Sequence, residues 1–306
     1  MTDLEVRRPK FDFTEDVPWE WNPGNPSFSF SMNATSFIAI CFEQMIVAAV
    51  QEAKPLLGDP DVAAESLAFL RQEAQHSSSH RKHVSALCRR YPGLAQTLDK
   101  AIASYDSLTA NTSLKYRLAY IANLEATFTP SMKLMLDNED TLFRPGDDRV
   151  ASLFLWHFVE EVEHRSSAMV IYNEAYGDTW FRMKSIPSVV KHLVEVMGII
   201  ADGVNEHVPE SDRKIDARTR LAVGEAEPSL WDRLPFGTKK PSSIAPPGFA
   251  TVSWREKFVA AARVLMSQTP FHNPAHAVLP KFADCWFERW DKGEDVTRWY
   301  SAQIAS

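Results

Sequence analysis

The feature that most constrains this chain is the placement of acids inside oily segments. Glu43 lies in FIAICFEQMIVAAV, where its neighbours three and four positions away are Ala39, Ile40, Ile46 and Val47, the positions that share its side of a helix. Glu125 repeats the arrangement with Ile121, Ala122, Phe128 and Thr129. An ionised carboxylate on a buried face costs on the order of several kcal/mol unless a cation, a proton or a basic side chain compensates it. Either an internal salt bridge, with Arg71, Lys115 or Arg117 as bases, or a metal ion would resolve the conflict.

The histidines favour the metal. FLRQEAQHSSSHRKH sets Glu73, His76 and His80 within about 60° of arc on one helix, and WHFVEEVEHRS does the same for His157, Glu161 and His164, with Glu160 near that face and Glu163 opposite. Four of the nine histidines in the chain thus fall on two helix faces. The order Glu43, Glu73-x-x-His76, Glu125, Glu161-x-x-His164 supplies a lone acid or a Glu/His pair from each of four helices, the pattern of dinuclear carboxylate centres in four-helix bundles. Four carboxylates balance two divalent ions, and one neutral imidazole per ion leaves positions open. The expected cofactor is two iron ions, with manganese or zinc as alternatives, held by Glu43, Glu73, His76, Glu125, Glu161 and His164. His157 is read as a further ligand or an orienting group, and His80 as a ligand or a support. Glu160 is read as a hydrogen-bond partner of a ligand imidazole. His83, His192, His207, His272 and His276 lack such grouping and are assigned structural or surface roles.

With only 11 Gly in 306 residues and apolar spacings of three and four, the chain reads as all-α. The expected layout is an irregular N-terminal arm over 1–32, a helical bundle over 33–204, a polar loop or flap over 205–250, and C-terminal helices over 251–306 packed on the bundle. The first helix is placed from the Asn33–Ser36 cluster, the second from Asp59–Pro60 to Arg90, the third to Leu136 with a kink at Pro130, and the fourth from Asp147 to Gly177. Trp180, Trp254, Trp286, Trp290 and Trp299 are read as core.

Composition excludes several classes. A formal charge of −7 lacks the basic excess of a nucleic-acid partner. The three scattered cysteines suit neither a disulfide scaffold nor a thiolate metal site, which points to the cytoplasm. The most apolar stretch, Phe37 to Val50, is short and holds Glu43, so no transmembrane segment is expected. No glycine-rich nucleotide loop or clustered cysteine set is present, so any electrons would come from an external donor. The apolar arm and terminal helices suggest a homodimer.

The stretches SFIAICFEQM, LRQEAQHSSSH, NLEATFT and LWHFVEEVEHRSSAMVIYNEAYG, together with the WxWNPGNP arm and FHNPAH, resemble the bacterial family described as predicted metal-dependent hydrolases, grouped with ferritin-like proteins. The resemblance spans most of the chain and implies a ferritin-like four-helix bundle with a bound metal pair. His157-x-x-x-Glu161-x-x-His164 is also similar in spacing to the fourth-helix ligand run of di-iron arylamine N-oxygenases, where the added histidine binds metal. The presence of His80 leaves open which metal would be richer in nitrogen. The leading functional expectation is a di-iron oxygenase acting with O2 on a small-molecule substrate. The alternatives are a metal-dependent hydrolase and an iron-storage protein.

Overall fold

The computed structural model describes residues 4–219 and 248–301. Among these residues there are eleven α-helices and no β-strand: α1 Pro26–Ala53, α2 Pro60–Arg90, α3 Leu94–Asn111, α4 Leu114–Leu136, α5 Glu139–Leu142, α6 Asp148–Glu163, α7 Ser167–Ala175, α8 Thr179–His207, α9 Glu210–Arg213, α10 Trp254–Ser267 and α11 Lys281–Asp291. The chain is all-α, as its spacing predicts. Helices α1 and α2 pack together, α4 packs on α1, and α6 closes the ring by contacting both α2 and α4. These four carry the acids and histidines of the sequence pattern, so ring closure brings their polar faces to one interior. Helices α3, α8 and α10 buttress it, α3 on α1 and α8, and α8 and α10 on α4.

Several boundaries differ from the sequence reading. Helix α1 starts at Pro26, where the Asn25 side chain accepts from the Phe28 amide. This is the same cap-then-proline start that Asp59 and Pro60 give α2. Asn33 and Ser36 are therefore not caps but buried side chains within α1, and the Asn33 amide donates to the Trp19 carbonyl at 2.8 Å. The fourth helix is not continuous to Gly177: α6 ends at Glu163 and α7 resumes at Ser167. Helix α8 begins at Thr179, capped by Asp178, and runs through Pro187. Of the expected C-terminal helices, α11 ends at Asp291 and gives way to Gly293 at φ +74°. Trp286 and Trp299 are core, but Trp180 and Trp254 are 68% and 77% exposed. Most of the expected 205–250 flap lies outside the described residues.

The arm does wrap the body. Phe11, Phe13, Val17, Trp19 and Trp21 are all buried. Asn22 donates to the Leu142 carbonyl at 2.9 Å, the Trp21 carbonyl accepts from Asp147 at 2.7 Å, and Arg149 holds the Asp16 carbonyl at 2.9 Å. Each buried tryptophan contributes roughly 4–6 kcal/mol of apolar burial before the entropy of ordering the arm is subtracted.

Helix α1 with its short 3-10 extension to Leu56 is long and apolar enough to cross a membrane, but 72% of its most apolar window is buried inside this structure and Glu43 interrupts it. It is the central helix of the bundle.

Close packing of α3 on α8 depends on Gly203, where a Cβ would lie 1.9 Å from Thr97 Oγ1. Gly203→Ala is expected to lower stability by about 1–3 kcal/mol in chemical denaturation. Gly198→Ala should cost less, because its Cβ would meet only the end of the Arg218 side chain. Equal stability of the Gly203 variant and the wild type would refute this approach of the two helices.

Candidate metal centre

The ring of helices places Glu43 on α1, Glu73 and His76 on α2, Glu125 on α4, and His157 and Glu161 on α6, with His164 immediately after the end of α6. All seven are between 0% and 3% exposed. Glu43, His76, His157 and Glu161 each offer a ligand atom within 4.8 Å of one another, and Glu73, Glu161 and His164 form a second group by the same measure. Glu125 adjoins the second group, its Oε2 3.8 Å from His164 Nε2. Glu161 belongs to both groups: its Oε1 lies 2.8 Å from His157 Nε2 and its Oε2 2.9 Å from His164 Nε2.

Among the described residues no lysine or arginine pairs with the lone acids, whose nearest basic groups are His157, 3.4 Å from Glu43, and His164, 3.8 Å from Glu125. Lys115 pairs with Asp178 at 2.7 Å and Arg117 with Glu52 at 2.8 Å. Instead Glu43 Oε2, both oxygens of Glu73, Glu125 Oε1 and His76 Nδ1 are buried without a hydrogen-bond partner. Buried polar atoms are rarely left so, and five of them converging in one interior fit donors awaiting a cation. The donor set, oxygen-rich with three imidazoles, suits a divalent ion of the iron or manganese type and also zinc.

The electrostatics agree. Burial holds Glu43, Glu73 and Glu125 well above the usual carboxylate range, and the charge of Glu161 pushes each further the same way. Burial works against Glu161 too, but His164 and the hydrogen bonds from the histidines outweigh it and hold this carboxylate well below its usual value. Burial also opposes charge on His76, yet its contacts with Glu160 and Glu161 raise it to about 10. Burial, then the charge of His76, pushes His157 down to about 4. Burial thus favours the protonated form of the three carboxylates, where a cation would favour the charged form.

Each imidazole is oriented from behind. His76 Nε2 bonds to Glu160 Oε2 at 2.9 Å, which leaves Nδ1 facing the cluster. His164 Nδ1 bonds to Gln72 Oε1 at 3.0 Å, which leaves Nε2. His157 Nδ1 lies 2.7 Å from His80 Nε2, His80 Nδ1 2.9 Å from Ser36 Oγ, and Ser36 Oγ 2.9 Å from His83 Nδ1. For His157 Nε2 to present a lone pair, Nδ1–H must donate to His80. His80 must then donate to Ser36, and Ser36 to His83, so the chain has one direction. Both nitrogens of His80 are thereby engaged, and it stands behind His157, outside both donor groups. His83, read from sequence as ungrouped, terminates this chain, with burial pushing it down to about 3. Glu160 in turn lies 3.4 Å from Arg7, which also grips Glu163 through two bonds of 2.8 and 3.0 Å. Gln72, Ser36 and Arg7 escaped the sequence reading because each meets the site only through the fold.

Two outcomes follow. Because burial favours the protonated form of Glu43, Glu73 and Glu125, and His76 is raised to about 10, a cation competes with protons: its binding should release them, and affinity should rise with pH above the ordinary carboxylate range. Calorimetry in buffers of different ionisation enthalpy measures the release, and tight binding with none would contradict it. Removing the hydroxyl in Ser36→Ala leaves two buried ring nitrogens without a partner. It should cost about 1–3 kcal/mol of stability and lower metal affinity about tenfold in chelator competition.

No curated protein and no solved structure matches the chain. The model of the family described as predicted metal-dependent hydrolases matches residues 5–235, a span that takes in the arm and every acid and histidine of the cluster. The chain belongs to this family of predicted metal-dependent hydrolases.

Proposed function

We propose that this protein is a di-iron oxidoreductase that uses dioxygen on a small organic substrate, with electrons supplied by a separate reductant. The observation that carries this reading is a donor cluster of two overlapping groups sharing Glu161, sealed at 0–3% exposure. A centre so enclosed suits a reactant as small as dioxygen. Bound iron would supply the electrons and the open positions at which dioxygen reacts.

The chain's own residues do the rest. Phe69 stands edge-on to His164 and Trp156 edge-on to His76, both with ring centres 4.9 Å away, and Phe158 lies 5.7 Å from His157. This apolar shell excludes water and strengthens each electrostatic interaction inside it. Glu161, at the junction of the two groups, would offer one oxygen to each of them. Glu160 and Gln72 hold His76 and His164 in the ring orientation that directs one nitrogen inward. At the gap between α6 and α7, His164 shares the lining of a cavity of about 400 Å³ with Glu163, Arg165 and Ser166.

That cavity is larger than dioxygen needs, and together with the family description it favours a second reading: hydrolysis of an organic substrate by the same donors with no change in metal oxidation state.

Anaerobic loading with Fe(II), then exposure to oxygen under absorption and Mössbauer spectroscopy, tests the proposal. The expected result is a pair of iron ions per chain that oxidise on exposure, with Glu161→Ala binding neither. A single iron, or a pair inert to oxygen in a protein that cleaves esters anaerobically with zinc or manganese, would transfer the assignment to the hydrolase. Loading of many irons per chain would indicate storage.

A further inference from the structure

Six arginines are buried among the described residues: Arg7, Arg117, Arg149, Arg182, Arg213 and Arg289. Five face a carboxylate within 4.0 Å, in order Glu163, Glu52, Asp147, Glu210 and Glu294. Arg182, at 2% exposure, has none. Its guanidinium donates to Asn123 Oδ1 at 2.9 Å and to the Thr269 carbonyl at 3.3 Å, both neutral acceptors. A buried cation served only by neutral groups leaves a positive charge that no carboxylate among the described residues pairs with.

Thr269, the residue whose carbonyl Arg182 holds, lines a space of about 340 Å³ between α4, α10 and the segment that follows α10. This segment contains FHNPAH, a sequence motif the metal centre does not use. Thr129 and Pro130, one turn beyond Glu125 on α4, line the cavity too, and Met266, Phe271 and Val278 give it an apolar side. Arg263, His272 and His276 are among its polar residues, and no carboxylate among the described residues lines it. Arg263 is exposed and has no acidic partner among the described residues. His272 is held below its ordinary value by burial and by the charge of Arg182. The volume is at the small end of ligand sites.

We infer that this cavity binds a small organic monocarboxylate with an apolar body, its charge held by Arg263 and by the field of Arg182 behind Thr269, and its body against Met266, Phe271 and Val278. The inference is independent of what the metal centre does, because it concerns binding at a separate surface of α4.

Octanoate is the probe, titrated into the full-length protein as purified and after metal removal, by calorimetry and ligand-observed NMR. Saturable binding to one site is expected, with the same affinity in both preparations. 1-Octanol should bind at least about tenfold more weakly and octylamine more weakly still. Arg263→Gln should weaken octanoate about fivefold and leave octanol unchanged, and Phe271→Ala should weaken both. Octanoate that binds no better than octanol, is indifferent to Arg263→Gln, or fails to saturate at millimolar concentration would overturn the inference. So would binding lost on metal removal from a protein that stays folded, since the carboxylate would then sit on the metal centre.

Discussion

Four carboxylates share one space from which water is excluded, and the architecture follows from that conflict. Glu43, Glu73, Glu125 and Glu161 arrive from four helices that otherwise bury apolar side chains, and their mutual repulsion in a low dielectric is too large to leave uncompensated. Protonation of three of them and charge on His76 is one solution, and a cation is the other. The interior is therefore a poor core by the standard of apolar packing and a good receptacle for positive charge. Its stability depends on what fills it, which links folding, pH and metal content in a single equilibrium.

The N-terminal arm belongs to this centre as much as the bundle does. Arg7 closes on Glu163 and Glu160, Glu160 orients His76, and Phe287 covers the Arg7 guanidinium at 4.7 Å. The Glu5 carbonyl accepts from Gln72, the residue that turns His164. Docking of the arm and orientation of two of the three inward imidazoles are thus one event. The tryptophans that fasten the arm supply the apolar burial that makes those longer-range contacts affordable in entropy.

The parts that were legible in the sequence are those set by local geometry. A Glu/His spacing of three is a statement about one helix turn, so the residues that α2 and α6 bring to the interior were readable without the fold. The cap at Asp59–Pro60 was readable, while the equivalent start at Asn25–Pro26 was hidden because the aromatic run after it resembles an arm more than a helix. The interruption after Glu163 has no glycine or proline to announce it. It is secured by Arg165, whose guanidinium bonds to the Val162 carbonyl at 2.9 Å. Ser36 and His83 were illegible for a different reason, since their partners lie across helices. Trp180 and Trp254 show the converse limit: composition states that tryptophan prefers burial, and only assembly decides which ones obtain it.

The interruption itself bears on how rigid the donor cage is. Glu43, Glu73, His76 and Glu125 stand in the middle of long helices, held by ladders of backbone bonds on both sides. The His164 amide still bonds to Glu160 at 3.0 Å, but its carbonyl turns to Ser167 at 2.7 Å, outside any helical ladder. A cage with stiff walls and one articulated corner adjusts its dimensions at that corner. Ions of different radius would then displace His164 before any other donor, and the cavity it helps to line would change shape with the identity of the ion inside.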